Sequence, residues 1–296
     1  MKKLFTLILA LCCLWSIIAS AETFEAYGLE IDTQAEVLDL GKTKVTDFDE
    51  LRTVLDRMPN LTAVYMFDTR MERDIMASLT EEYPNIHFGW TLRVGPYRVR
   101  TDQTAFSTLR HVDDTPRYKT STYEILKYCY QLKGLDLGHN NIEDISFVGE
   151  LTDLQYLILA DNEVLDISPL ANLKNCQYLE LFMNDFTDLT PLTEMTGLID
   201  LNLCRLELQD ITPLYEMTWL KRLWISARKP AWTEEEMQAL REALPDTDIN
   251  FTAVSCTGEG WRKHPRFTAV KNSFRSQSFI DWTEEERNYT GPYDTK

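Results

Sequence analysis

The feature that most restricts this chain is a spacing. Leu135-Asp136-Leu137, Leu157-Ile158-Leu159, Leu179-Glu180-Leu181, Leu201-Asn202-Leu203 and Leu223-Trp224-Ile225 recur every 22 residues without a slip. Other positions keep the same frame. Asn140, Asn162 and Asn184 follow the first leucine by five residues, and Asp144, Asp166, Asp188 and Asp210 follow it by nine. Pro169-Leu170, Pro191-Leu192 and Pro213-Leu214 complete the pattern LxxLxLxxNxxxxDIxPLxxL. A period of this length marks stacked structural units, each unable to bury its apolar face alone.

Each element of the repeat has a physical task. Alternating leucines point inward from a strand while their neighbours point outward. The asparagine turns the chain out of the strand, and its amide can satisfy buried backbone groups of adjacent coils. Asp-Ile-Ser/Thr-Pro makes a tight return in which the aspartate bonds local backbone and proline fixes φ.

These residues resemble the bacterial 22-residue leucine-rich repeats of the internalin type, over about residues 129–227. The resemblance implies a curved solenoid used for protein recognition, in a family whose bacterial members are typically exported. The expected fold is therefore α/β, a leucine-rich-repeat solenoid. It has a parallel sheet on the concave face, helices in the N- and C-terminal repeats, and short turns on the convex side of the central ones. Leu206 and Arg228 stand where the fourth and fifth asparagines would be, so the ladder ends early. No cell-wall sorting motif is visible.

The flanks divide around this array. Residues 1–21 carry Lys2 and Lys3, an apolar run from Leu4 to Ile18, and Ala19-Ser20-Ala21. That is the pattern of a secretory signal cleaved after Ala21, and a run of about 15 apolar residues is short for a membrane span. Residues 22–95 read as β-α repeats, with helices from about Phe48 to Met58 and from Met71 to Glu82. A separate small α/β domain is the alternative there. Residues 96–128 show no period and read as an irregular insertion with a lead-in helix. Residues 228–256 read as a helical end repeat, opened by a capping box at Thr233 and Glu236. Residues 257–296 form a basic, aromatic tail.

Without the signal, 28 basic residues face 47 acidic ones, a net charge of −19. Such a chain repels nucleic acid and anionic lipid. It suits a secreted, extracellular or cell-envelope protein and a partner with local positive charge. Cys129, Cys176, Cys204 and Cys256 remain in the mature chain. The repeat frame buries Cys129 and Cys176 two coils apart, about 10 Å, so no disulfide framework is expected.

The frame also places the outward residues. Tyr156, Ile158, Tyr178, Phe182, Met183 and Trp224 cluster on the concave face, beside Glu180, Asn202, Asp200, Arg205 and Arg222. An aromatic centre with a charged rim has the composition of an interface. These eleven residues are the expected contacts for a protein, peptide or glycan. The alternative is that the insertion or the tail covers them within the same chain. Tyr178→Ala with Trp224→Ala separates the two: an interface pair leaves thermal stability intact, a core pair does not.

No catalytic constellation emerges, and no cofactor or metal is expected. His87, His111, His139 and His264 lie outside zinc-protease spacing. His139 and Asp161 can pair but have no nucleophile beside them. Gly41-Lys42-Thr43 mimics the end of a phosphate loop, yet Glu36 occupies the place of its first glycine. The reading is an exported, non-catalytic recognition module. An inhibitor or structural component of an envelope assembly is the alternative, and a hydrolase the remote one.

Overall fold

The computed structural model describes residues 22–108, 116–226, 231–258 and 260–289. The expected signal peptide lies outside them. A hairpin, β1 (Thr23–Ala26) and β2 (Leu29–Asp32), opens the described chain. Two β-α units follow: β3 (Val37–Asp39), α1 (Phe48–Leu55), β4 (Ala63–Tyr65) and α2 (Arg73–Glu82), closed by β5 (His87–Gly89). β3, β4 and β5 form a parallel sheet in register, Leu38 beside Val64 beside Phe88. Asp47 starts α1 by accepting hydrogen bonds from the Asp49 and Glu50 amides, which satisfies donors that a first helical turn otherwise leaves unpaired.

The described residues between 96 and 128 are more regular than expected. They hold the second arm of a hairpin, β6 (Thr91–Val94) with β7 (Tyr97–Arg100), then β8 (Ala105–Ser107) and α3 (Thr120–Tyr123), which runs into a 3-10 turn over Glu124–Tyr128. β8 is the first strand of the main sheet. Phe106 pairs with Leu135, 29 residues on, because the link between them is longer than a standard coil.

The main sheet is wholly parallel and seven strands wide, running β8, β9 (Gly134–Asp136), β10 (Tyr156–Ile158), β11 (Tyr178–Glu180), β12 (Asp200–Asn202), β13 (Arg222–Trp224), β14 (Asp248–Asn250). From β9 to β13 every residue pairs with the one 22 positions on, as in Leu157 with Leu179 and Leu201 with Leu223. β14 follows α4 (Glu234–Ala243), whose capping box joins Thr233 and Glu236. Opposite the sheet each central coil returns through one 3-10 turn, at Ser146–Glu150, Ser168–Asn172, Thr190–Glu194 and Thr212–Glu216.

The small polar residues of the repeat supply the stitching. Asn162 Oδ1 accepts from Ile142 N at 3.0 Å, while its Nδ2 donates to Leu137 O and Leu159 O, each at 3.0 Å. One amide thus serves two coils, and Asn184 repeats the arrangement one coil on. Asp144, Asp166, Asp188 and Asp210 each accept from the amide two residues ahead at 2.7–2.8 Å, opening the convex turns. The core is continuous from Ile31 to Phe251. The N-terminal β-α units therefore share one interior with the repeats.

Candidate functional site

Outward residues of a parallel sheet form columns, one side chain per coil. Here a second apolar cluster lies on the outer side of the sheet and includes Tyr156, Ile158, Tyr178, Phe182 and Trp224. It also includes Trp261, Val270, Phe274 and Trp282, which belong to the C-terminal segment. That segment runs through a 3-10 turn (Trp261–Lys263), α5 (Pro265–Ser276) and α6 (Glu284–Arg287). It lies across the concave face. Of the eleven expected contact residues, Tyr156, Ile158, Tyr178, Glu180, Phe182, Asp200, Asn202, Arg222 and Trp224 are buried. Met183 is half-buried and Arg205 exposed. The expectation that this patch meets an external partner is corrected: the chain's own tail occupies it.

The occupation is detailed. Trp261 sits between Tyr178 and Trp224, 5.6 Å from each ring centre, and donates from Nε1 to Glu180 Oε1 at 2.8 Å. The Arg222 guanidinium stacks 3.9 Å over the Trp261 ring and donates to its carbonyl at 2.9 Å. Further along, Tyr156 meets Phe279 and Trp282 and donates its hydroxyl proton to Ile280 O at 3.1 Å. Gly134 lets α5 settle on β9, since a Cβ there would come within 3.3 Å of the Phe274 ring.

Charge follows the same design. Glu180 takes Arg262 through both oxygens, at 3.1 and 2.5 Å, and accepts the Tyr178 hydroxyl. Asp200 lies between Arg222 Nη2 at 2.7 Å and Arg266 Nη2 at 2.6 Å, and all three side chains are buried. Burial alone would raise the Asp200 carboxyl, but the two guanidinium charges and their hydrogen bonds outweigh it and hold it below the ordinary aspartate value. For Arg262 burial disfavours the cation, and Glu180 more than reverses this. The local positive charge that the acidic face was expected to attract is carried by the tail itself.

Magnitudes decide whether this cover is loose or integral. Burying one large apolar side chain is worth about 1.5–3 kcal/mol. Trp261, Val270, Phe274 and Trp282 are all buried here, which together gives on the order of 10 kcal/mol before the ion pairs are considered. Whole domains are stable by about 5–15 kcal/mol. Lifting the cover is thus comparable to unfolding.

What stays on the surface is one column. His139, Asp161, Met183 and Arg205 end their strands with φ of 57°, 55°, 57° and 58°, a left-handed turn that non-glycine residues adopt only where the surrounding structure fixes it. They form a ridge along the edge of the sheet. Asp161 Oδ2 holds His139 Nδ1 at 2.6 Å and Arg117 Nη2 at 2.5 Å, so the expected His139 to Asp161 pair is formed. Arg117 was not foreseen. Among the described residues no group of three or more His, Cys, Asp or Glu side chains could hold a metal ion. Nor is any helix there long and apolar enough to cross a membrane.

The family profile for leucine-rich repeats, in two copies, matches residues 131–172. The fold is a leucine-rich-repeat solenoid. Among solved structures, the chain is similar to internalin C2 of Listeria monocytogenes, with 24% identity over 73% of this chain and 80% of that one, at a TM-score of 0.38. An internalin F of the same species gives 21% identity over 71% and 52% of the two chains, at a TM-score of 0.41. A leucine-rich-repeat protein of Leptospira interrogans gives 19% over 67% and 50%, at 0.45. This chain therefore spans about half the length of the last two. No curated protein matches it in sequence.

Proposed function

We propose that this protein is an exported, non-catalytic recognition module that meets a protein or peptide partner on the ridge formed by Arg117, His139, Asp161, Met183 and Arg205. Repeat solenoids commonly serve recognition through the continuous surface that stacked coils create. The observation that carries the choice of ridge is the cover: a face closed by Trp261, Arg262, Arg266 and Trp282 has no room for a second ligand. Export rests on the basic, apolar and small-residue pattern of residues 1–21. The ridge offers both charge signs and one flexible thioether, a mixture suited to a polar partner surface.

The test uses the full chain as bait for proteins of the medium and envelope, with Met183→Asp plus Arg205→Glu as the comparison. The expected result is loss of capture with the chain still cooperatively folded, at a melting temperature lowered by no more than about 5 °C because Met183 is half-buried. Capture that survives these changes, or that appears only when residues 257–296 are deleted, places the site under the cover and refutes the assignment to the ridge.

A further inference from the structure

Asn202 lies on the covered face and uses both ends of its amide. Its Oδ1 accepts from Cys204 N at 3.1 Å, and its Nδ2 donates to Cys256 O at 2.7 Å. One carboxamide thus holds the backbones of two cysteines that are distant in sequence. Each thiol shifts the proton affinity of the other, Cys204 downward and Cys256 upward. Cys204 Sγ also lies 3.1 Å from Ser226 Oγ, and both cysteines are buried in the cluster beneath the cover. Cys129 and Cys176 belong to the other apolar cluster, on the opposite side of the sheet.

We infer that Cys204 and Cys256 form a disulfide that covalently ties the start of the C-terminal cover to the repeat array. The position suits that role. Cys204 ends the coil of β12, and Cys256 stands between β14 and Trp261, where the chain turns back over the concave face. The order of reaction follows from the surroundings. The neighbouring Cys256 thiol, assisted by Ser226 and Arg205 against the opposing effect of burial, holds the Cys204 thiol below its usual value. Cys204 is therefore the thiolate that attacks first. With a small disulfide such as oxidised glutathione as oxidant, the Cys204 thiolate displaces one glutathione thiolate and forms a mixed disulfide. Cys256 then loses its proton and attacks the Cys204 sulfur, releasing the second glutathione. Two protein thiols and one glutathione disulfide become one protein disulfide and two glutathione thiols. Because Cys204 is fully buried, this exchange accompanies docking of the cover, after Cys256 has come beside Cys204. The inference is independent of which surface meets a partner.

The experiment folds the full chain with oxidised glutathione, blocks remaining thiols with iodoacetamide and digests with trypsin without reductant. The expected product joins peptide 175–205 to peptide 242–262, with fragmentation placing the bond on Cys204 and leaving Cys176 alkylated. The oxidised chain should melt about 5–10 °C above the reduced one, the scale for closing a loop of about 50 residues in a chain of this size. Cys256→Ser, folded in the same buffer, should show no such difference between oxidised and reduced samples. Alkylation of both Cys204 and Cys256 after oxidation overturns the inference, as does a bond to Cys129 or Cys176. A linked product that melts no higher than the reduced chain overturns the role in fixing the cover.

Discussion

Two buried groups beneath or within the cover titrate against each other, and separating them tests the burial directly. Asp136 lies on β9, where burial pushes its carboxyl up to about 6 in spite of Arg262 and of hydrogen bonds from Gly138 N and Ser107 Oγ. His264 precedes α5, where burial first, and then the Arg222 and Arg266 charges, push its imidazole down to about 3. A tenfold change in proton affinity on folding is worth about 1.4 kcal/mol. Between pH 6 and 3.8 the folded state holds a proton on Asp136 that the unfolded chain lacks, so acidification stabilises the fold through this group. From pH 6.5 downward the unfolded chain protonates its histidine while His264 stays neutral, so acidification destabilises the fold through that group. The two slopes are equal and opposite across the shared window. Asp136→Asn removes one of them. The stability difference between variant and wild type should then move against the variant by about 2.4 kcal/mol from pH 7 to pH 4, or roughly 5–10 °C in melting temperature. Thermal denaturation followed by circular dichroism at half-unit pH steps reads this. A difference that stays constant over that range would show that Asp136 is not buried as described.

Two further predictions concern packing and stitching. Trp261→Ala removes a fully buried indole that fills the space between Tyr178 and Trp224, and should cost about 3–5 kcal/mol; Tyr178→Ala with Trp224→Ala should destabilise at least as much, and wild-type melting of either variant would return these residues to an exposed surface. Asn162→Ala leaves Ile142 N without its acceptor, at about 1–3 kcal/mol for a buried group left unsatisfied, while Leu137 O and Leu159 O keep the Asn140 and Asn184 amides. Urea unfolding should show a lower midpoint for it, whereas Leu206→Asn, at the position where the ladder stops, should bring no gain.

The solenoid was legible because its information is local and repeated. Leu157, Leu179 and Leu201 fall side by side since identical coils place identical residues at identical heights, and Asn162 and Asp166 make the bonds their positions require. β8 was not legible. Its three residues Ala105–Ser107 carry no alternating leucines, and the link to β9 breaks the 22-residue frame. The concave patch was legible as a cluster and misread as exposed. Alternation along a strand tells which side of the sheet a residue takes, but nothing in the repeat tells what lies on that side. The signal for the cover was in the tail, where Trp261, Arg262, Arg266 and Trp282 complement the aromatic and acidic columns in kind and in charge. The nearness of Cys204 and Cys256 depends on the same return of the chain, which the sequence offered as the alternative for this face, but the repeat frame does not carry it.

The columns therefore have two sets of obligations. A leucine-rich repeat needs only its inward residues to fold, so its outward residues are free to vary from coil to coil, as Gly134, Tyr156, Tyr178, Asp200 and Arg222 do in one column. Here that freedom is spent on a single internal ligand. Asp200 would be costly in a bare groove only if unpaired and dry; facing water it would need no partner. Once the cover excludes water, its charge demands compensation, which Arg222 supplies from the next strand and Arg266 from the cover. An ion pair of this kind contributes less to net stability than to selection, because its charges are tolerable in one arrangement and expensive in others. The apolar residues drive the cover down, and the buried charges fix where along the array it comes to rest. On the proposed reading a partner engages side chains that this arrangement leaves outside, and on the sheet side of the repeats these are the ridge that begins at His139 and ends at Arg205.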